Sequence, residues 1–289
     1  MQKLKESRLW SYVVIAIVYV LAIALQLVLF NVINIENIYL KIFIVDLIAT
    51  IFVFIFSLIF GNSSIYDPYW SVEPLVIVVL LMSQNKINFP VVISFGVVFI
   101  LWGLRLTLNW ALSFKDLTKQ DWRYTMLKEK TKKLYPLVNF FGIHLFPTIV
   151  VYLALLPAIN FIQINYTNYF SYFGIAIMLL GIVIEIVADY DIYEYHKRNK
   201  DDHRQIIQTG IWKYSRHPNY LGEIVFWYGV FFAMLPLDFF AIYFVVGAVI
   251  NHLMFIFISI PMNEKRMKKR KFNYEKYQEE TRMLLPFKK

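Results

Sequence analysis

The sequence predicts an all-α fold, a polytopic transmembrane helical bundle of about seven to eight helices with its N- and C-termini in the cytoplasm. Its composition, 59% hydrophobic and only 17% charged, differs from that of a soluble domain, whose surface carries more charge. The apolar residues also form blocks close to the roughly 20 residues that a helix needs to cross a bilayer. Basic residues, finally, are grouped between alternate blocks.

The apolar blocks predict the helices in chain order. Backbone polar groups in lipid must be bonded within their own segment, so long apolar blocks indicate helices, and the alternation expected of a membrane β-barrel is absent. The first block is too long for a signal-peptide core, and we interpret it as a retained helix. Shorter blocks at 72–83 and 220–235 are marginal spans or re-entrant pieces. The long blocks are 10–30, 39–60, 89–112, 142–160, 169–190 and 237–260.

The positions of the basic residues predict the topology. Most of the 29 Lys and Arg residues lie in the N-terminal tail, in 113–136, in 191–220 and in the tail from Pro261 onward. With eight crossings these regions share one side, which the positive-inside rule identifies as cytoplasmic. With seven crossings the assignment loses this consistency. The membrane is a bacterial inner membrane or the endoplasmic reticulum, with the working polar surface facing the cytoplasm.

Charge and cysteine content exclude several classes of function. The net charge of +9 follows from topology and from attraction to anionic lipid headgroups, so we expect membrane lipids and not nucleic acid as partners. The chain has no cysteine, which excludes disulfides, thiolate metal sites and cysteine nucleophiles. We expect no bound metal.

Ionisable residues inside apolar blocks are candidate functional residues because a charge at mid-bilayer is costly. Arg105 shares a helix face with Asn109 and needs an anion, either a carboxylate or the phosphate of a ligand. Glu185, Asp189 and His196 fall on one narrow helical stripe. Such a stripe suits ribose hydroxyls, an arginine partner or a cation.

Glu73 follows an unusually polar and aromatic segment, residues 66–72, and precedes Pro74. One interpretation is a helix cap, because an acid is favourable at the positive end of a helix dipole. The other is a proton-donating acid within a pocket. We interpret Asp46, His144 and His252 as packed, hydrogen-bonded helix contacts.

The most informative segment, residues 209–223, reads Thr-Gly-Ile-Trp-Lys-Tyr-Ser-Arg-His-Pro-Asn-Tyr-Leu-Gly-Glu. It predicts a turn followed by an apolar helix with Pro218 in its first turn. Free N–H groups at a helix start bind anions, and Arg216 beside them would add a bidentate phosphate contact. No Rossmann or Walker glycine loop occurs. The segment therefore predicts a site for a phosphate-bearing cofactor.

This Arg-His-Pro-Asn-Tyr-Leu-Gly-Glu stretch resembles the C-terminal signature of steroid 5α-reductase-like membrane proteins. Their superfamily includes sterol reductases and isoprenylcysteine carboxyl methyltransferases. Asp121-Trp122-Arg123-Tyr124, Asp189 and the tail from Phe272 to Phe287 look like the bacterial branch, known as DUF1295. The resemblance covers roughly 60–289. It implies N-terminal transmembrane helices without motifs at 1–60 and a catalytic membrane domain at 61–289, with its cofactor-binding part at 185–289.

The resemblance also implies the activity and its residues. It implies an oxidoreductase that takes hydride from NADPH and reduces a carbon–carbon double bond conjugated to a carbonyl. The substrate would be lipophilic: steroid-like, isoprenoid or fatty-acyl. Glu73 with Tyr69 or Tyr66 would polarise the carbonyl. The implied cofactor contacts are Arg105, Asn109, Asp121, Arg123, Tyr124, Glu185, Asp189, His196, Trp212, Tyr214, Arg216, His217, Asn219, Tyr220, Glu223, Tyr274 and Tyr277.

Two other functions stay open. A methyltransferase using S-adenosylmethionine would also use the Arg-His-Pro segment, because a cofactor with a carboxylate needs cations at a helix start. The many polar groups ahead of the motif, however, exceed what this smaller cofactor needs. A non-catalytic transporter or lipid-binding protein would spread its polar residues across the membrane, whereas here they crowd the predicted cytoplasmic half.

Overall fold

The structure, a computed structural model, describes residues 5–84, 86–199 and 204–285. These residues are folded almost entirely into helices, and no strand occurs among them apart from an isolated parallel bridge between Ser215 and Arg282. The predicted all-α class is confirmed.

Seven helical segments within the described residues are long and apolar enough to cross a membrane. The marginal block 72–83 lies in one of them, whereas 220–235 corresponds to a helix of 17 residues that is not among the seven. The predicted polytopic bundle is confirmed, and the side faced by each terminus stays a prediction. The segments are Arg8–Val32, Ile38–Phe60, Ser63–Gln84, Phe89–Ser113, Trp122–Ile164, Tyr169–Arg198 and Phe239–Arg270.

The chain divides into two compact units, the first ending at Asn165 and the second beginning at Tyr166. The motif-based boundary at residue 60 stays a prediction. The first unit contains 3₁₀ turns at Ser63–Tyr66 and Lys132–Leu134 and π-helical turns at Val92–Gly96 and Asn139–Leu145. Its helices are α1 (Arg8–Val32), α2 (Ile38–Phe60), α3 (Tyr69–Gln84), α4 (Phe89–Val91), α5 (Val97–Ser113), α6 (Trp122–Thr131), α7 (Tyr135–Val138) and α8 (Phe146–Ile164).

The helices of the second unit are α9 (Tyr169–Arg198), α10 (Pro218–Met234), α11 (Val245–Met254), α12 (Ile260–Arg270) and α13 (Tyr274–Glu280). Of these, α9 and α10 pack most closely against each other. A 3₁₀ turn at Gly210–Lys213, another at Phe239–Phe244 and a π-helical turn at Phe255–Ser259 complete the unit.

Side chains fix where several of these helices begin and end. Asn37 caps α2 by accepting a hydrogen bond from the Leu40 amide, and Asn168 forms a capping box with Ser171 at the start of α9. Gly61, with a φ of 65°, ends α2 in the left-handed conformation that glycine adopts without strain. The chain can therefore turn sharply after α2 into the buried segment 62–69.

The core of the first unit encloses that turn. Ile65, Tyr66 and Tyr69 are buried against apolar side chains from α1 and α2, together with Phe114 and Leu117 from the connection after α5. The aromatic segment that the sequence singled out thus lies at the centre of the unit, and its polar atoms need partners there because buried polar groups are almost always hydrogen-bonded.

Candidate functional site

A buried acid cluster lies within the first unit and consists of Gln26, Asp46, Tyr69 and Glu73. Gln26 on α1 donates from Nε2 to Oε2 of Glu73 at 2.6 Å, and the Tyr69 hydroxyl donates to Oδ1 of Asp46 on α2 at 2.9 Å. Asp46 is 3% exposed and Glu73 5%. The Tyr69 hydroxyl also interacts with Glu73. Helices α2 and α3 therefore bring two carboxyl groups to one tyrosine, and α1 supplies the amide that holds Glu73.

Glu73 does not act as a helix cap. Helix α3 begins at Tyr69, so Glu73 lies beyond its first turn, and its carboxyl group faces Gln26 instead of free backbone amides. Within the part of the chain that the structure describes, Oε1 of Glu73 is buried and has no hydrogen-bond partner. Since a buried polar atom without a partner costs about 1–3 kcal/mol, this oxygen does not stabilise the fold.

Tyr66 belongs to the same core but has different partners. Its hydroxyl bonds Oγ1 of Thr148 at 2.8 Å, and Thr148 in turn bonds Oγ1 of Thr50 at 3.0 Å. The Tyr66 ring stacks on Tyr69, with centroids 5.2 Å apart, and lies 4.7 Å from the ring of His144. Tyr66 therefore packs on Tyr69 and ties the turn Ser63–Tyr66 to α8, while the bond between Thr50 and Thr148 joins α2 to α8.

The predicted loop Asp121 to Tyr124 docks on the turn that leads into the acid cluster. The Tyr124 hydroxyl donates to Oδ1 of Asp67 at 2.6 Å, and the Asp121 amide donates to Ser64 Oγ at 2.8 Å. Arg123 pairs with Asp121 at 2.8 Å. The structure thus joins two sets of residues that the sequence placed in separate roles. Sequence analysis did not identify Asp67 as a candidate, although this residue lies in the aromatic segment 66–72.

Arg105 and Asn109 lie one turn apart on α5, the first half-buried and the second exposed. In the second unit, Glu185 is buried on α9, Asp189 is half-buried one turn further on, and His196 is exposed. A Cβ at Gly222 would lie 2.4 Å from Cγ of Glu185, so this acid packs directly against the backbone of α10.

The segment 212–223 is held by what we call the tail clasp, formed by Arg216, His217, Glu264 and Thr281. Arg216 donates from Nε to Glu264 Oε1 at 2.8 Å, and from Nη1 to the carbonyls of Gln278 and Thr281. Nε2 of His217 lies 3.2 Å from the same Glu264 oxygen. The guanidinium that the sequence predicted as a phosphate contact therefore binds the tail.

Backbone contacts extend the clasp. The Arg216 amide donates to the Arg282 carbonyl at 2.9 Å, and the Tyr277 hydroxyl donates to the Trp212 carbonyl at 2.5 Å. Tyr274 and Tyr277 are buried, and burial raises the pKa of both phenols, so they remain neutral. Both predicted tail tyrosines thus pack on the motif.

The motif helix α10 begins at Pro218 without a side-chain cap, and Asn219 in its first turn is half-buried. Tyr220 stacks on His217 with centroids 5.4 Å apart. Glu223 is buried and accepts a hydrogen bond from Trp227 at 2.8 Å, whereas Tyr214 is partly exposed. The start of α10 therefore offers amide groups that no side chain caps, which suits an anion.

The fold and these two clusters define a polytopic membrane protein with buried ionisable groups. The model of the family described as "Protein of unknown function (DUF1295)" matches residues 53–281, and the chain belongs to this family. An uncharacterized protein of Schizosaccharomyces pombe is 26% identical over 149 residues, which are 44% of this chain and 43% of that protein. The chain thus spans under half the length of this relative. No solved structure matches the chain.

Proposed function

We propose that this protein is an integral membrane oxidoreductase that reduces a carbon–carbon double bond conjugated to a carbonyl, in a lipophilic steroid-like, isoprenoid or fatty-acyl substrate, with NADPH as the hydride donor. The observation that carries the proposal is Glu73. Its carboxyl group is buried, is held through Oε2 by Gln26, and presents an Oε1 without a partner among the described residues.

Such a carboxyl group suits a substrate carbonyl. An isolated carboxylate costs several kcal/mol in an apolar interior, so burial favours the neutral form, which can donate a hydrogen bond. Negative charge grows on the carbonyl oxygen as hydride adds to the enone, and a preorganised donor lowers the barrier because no solvent must reorganise. Glu73 would donate to this oxygen, and Gln26 and Tyr69 would orient it.

Among the described residues of the second unit, those at the uncapped start of α10 fit an anionic cofactor. Bound NADPH would supply the hydride. Asn219 and the first-turn amides would hold its phosphates. Arg216 would contribute indirectly, since its Nε and Nη1 are already bonded within the clasp and fix the segment that precedes the helix. The other predicted contacts stay predictions.

The first test is cofactor binding, measured as the thermal midpoint of the purified protein in detergent with NADPH, NADH or S-adenosylmethionine. A ligand at 100 times its dissociation constant stabilises the fold by about 2.7 kcal/mol. We expect a shift with NADPH. A shift with S-adenosylmethionine alone would establish methyl transfer instead, and no shift with any of the three would leave a non-catalytic membrane protein.

Asn219→Asp is a sharper variant than Arg216→Ala, because loss of Arg216 would also open the clasp. The new carboxylate is nearly isosteric and favourable at a helix start, yet it repels a phosphate bound there. We expect an unchanged midpoint without ligand and loss of the NADPH shift. Asn34→Asp, at an exposed position between α1 and α2, is the matched control and should keep the shift.

Turnover is tested with three probes, a 3-oxo-4-ene steroid, an isoprenoid enone and a fatty-acyl enone, by following NADPH oxidation. Glu73→Gln should abolish turnover of the accepted probe and keep the NADPH-induced shift, whereas Glu36→Gln at an exposed position should change neither. Absence of turnover with all three enones would overturn the proposed reaction.

A further inference from the structure

The proposed reaction assigns no role to Asp46, the remaining member of the acid cluster. It lies in the middle of α2, a helix without any of the family-like motifs, and it is 3% exposed. The presence of a carboxyl group there requires an explanation, since an ionisable side chain inside a membrane helix is costly. An ion pair does not explain it, because no Lys, Arg or His among the described residues forms a salt bridge with Asp46. Lys41, the nearest basic residue along α2, lies over the Phe30 ring instead.

The contact of Asp46 that bears on Glu73 is the one with Tyr69. The Tyr69 hydroxyl lies 2.9 Å from Oδ1 of Asp46 and 3.2 Å from its backbone carbonyl oxygen. A phenol has a single proton to donate. As long as Asp46 accepts that proton, the Tyr69 hydroxyl has none left to donate to Glu73.

This arrangement decides which group can donate to a substrate. Without the carboxyl group of Asp46, only the longer contact of 3.2 Å to the backbone carbonyl would hold the Tyr69 proton. The hydroxyl could then turn towards the carboxyl group of Glu73, with which it already interacts. Oε1 of Glu73, which has no partner in the described structure, would then gain one, and it would lose the orientation that lets it meet a carbonyl.

The position of Asp46 is itself fixed. Thr50, one turn further along α2, interacts with Asp46 and bonds Oγ1 of Thr148 at 3.0 Å. Thr148 donates to the carbonyl of His144 at 2.9 Å and also bonds the Tyr66 hydroxyl. These bonds tie α2 to the start of α8, so Asp46 cannot move away from Tyr69 without breaking a continuous polar network.

We propose that Asp46 is a positioning residue for the reaction: it accepts the Tyr69 proton and thereby keeps Glu73 oriented towards the substrate carbonyl. This inference rests on the proposed function. It assigns Asp46 no contact with substrate or cofactor.

The experiment combines turnover with a direct report on Tyr69. Protein labelled with ¹³C at the tyrosine ζ carbon is examined by NMR in detergent, and Tyr69→Phe identifies the Tyr69 resonance. Asp46→Asn keeps a side-chain oxygen that accepts the hydroxyl proton, whereas Asp46→Leu leaves only the backbone carbonyl oxygen at 3.2 Å. We expect the resonance to shift in Asp46→Leu and to stay in place in Asp46→Asn.

Turnover of the accepted enone should follow the same order. A misplaced reacting group costs about 100-fold per ångström, so Asp46→Leu should lower kcat by about 10- to 100-fold with an unchanged KM for NADPH. Asp46→Asn should stay within about threefold of the wild type. In a Tyr69→Phe background, Asp46→Leu should have no further effect, because the two residues act through one contact.

Three results would overturn the assignment. The first is a Tyr69 resonance that does not shift in Asp46→Leu, and the second is an equal loss of kcat on Asp46→Leu with and without the Tyr69 hydroxyl. The third is a loss of kcat in Asp46→Asn while the Tyr69 resonance stays in place. The last two would show that Asp46 acts by another route. If Asp46→Leu does not fold, Asp46→Ala, which also removes the carboxyl group, takes its place with the same expectations. A wild type that neither binds NADPH nor turns over any enone overturns the proposed function instead, while the resonance still reports on the contact.

Discussion

Arg216 and Glu264 form an ion pair in the second unit, with Nε and Oε1 2.8 Å apart and side chains that are 9% and 14% exposed. The two residues are 48 positions apart in sequence. Because the same Glu264 oxygen also lies against His217, one carboxylate holds the two most distinctive residues of the segment 209–223. This relationship sets the first two predictions.

Glu264→Ala should destabilise the protein strongly. It leaves the Arg216 guanidinium buried without its anion, and breaking one side of a buried pair typically costs about 3–5 kcal/mol. The free energy of unfolding would be measured by titrating the detergent-solubilised protein with sodium dodecyl sulfate. Glu275→Ala is the control. Its side chain is 79% exposed and 3.8 Å from Lys268, so the change should stay within about 0.5 kcal/mol. Equal losses in both variants would contradict the importance of the clasp.

The stability of the clasp should depend on pH through His217. Burial, aided by the nearby charge of Arg216, lowers the pKa of His217 below its ordinary value of about 6.5, although Glu264 opposes the shift. The unfolded chain therefore binds a proton at a higher pH than the folded protein does. Stability from this group is complete above about pH 6.5 and is lost as the pH falls below it.

The measurement is the thermal midpoint between pH 8 and pH 5, compared between the wild type and His217→Gln. The wild type should lose more stability than the variant over the acid half of this range. A steeper loss in His217→Gln would show that protonation of His217 stabilises the clasp, contrary to the expectation.

Gly174→Ala should disrupt the α9–α10 pair. A Cβ at Gly174 would lie 2.0 Å from the backbone nitrogen of Ala233, and backbone atoms cannot move aside as a flexible side chain can. Overpacking typically costs about 1–3 kcal/mol and sometimes more. Gly142→Ala is the matched control, since its Cβ would meet only Val138 at 3.9 Å. The unfolding titration should separate the two variants; similar behaviour would refute the close approach of α9 and α10.

Tyr124→Phe should loosen the loop that docks on the turn leading into the acid cluster. It removes a hydrogen bond of 2.6 Å to Asp67, and the net loss of such a bond to a charged group is about 1.5–3 kcal/mol. Hydrogen exchange of the Asp121–Tyr124 segment should become faster. Tyr193→Phe, at a side chain that is 63% exposed, should leave the exchange unchanged. Unaltered exchange in Tyr124→Phe would show that the loop is held by its other contacts.

The sequence predicted the fold class well because the physical rule is simple. Lipid forces backbone polar groups into helices and sets their length, so block length alone placed nearly all of the long helices. The 17-residue helix α10 fell at the margin of that rule, and the sequence identified it as marginal.

The sequence identified Glu73 and Tyr69 as candidate catalytic residues but did not place Gln26 and Asp46, the other two members of the acid cluster, beside them. Gln26 and Asp46 lie on α1 and α2, which carry no motif, and periodicity does not reveal which faces of different helices meet. Asp46 was interpreted as a packed helix contact, and its bond to Tyr69 gives that contact a specific partner.

The sequence predicted the role of Arg216 from its charge alone and did not identify its partner. An arginine at a helix start predicts a bound anion, and the structure supplies that anion from within the chain as Glu264. The signal was present, since Glu264 is an acid directly ahead of a strongly basic run, residues 265–271.

The tail clasp also bears on when the second unit acquires its final form during synthesis. Arg216 and His217 leave the ribosome well before Glu264, and Thr281 and Arg282 follow later still. Until these later residues have been added, the guanidinium of Arg216 has neither its carboxylate nor its tail carbonyls. A nascent chain halted after α10 therefore contains all residues of the segment 209–223, but this segment lacks the contacts that hold it in the folded protein. The segment reaches its final structure only when the last described stretch of the chain has been synthesised.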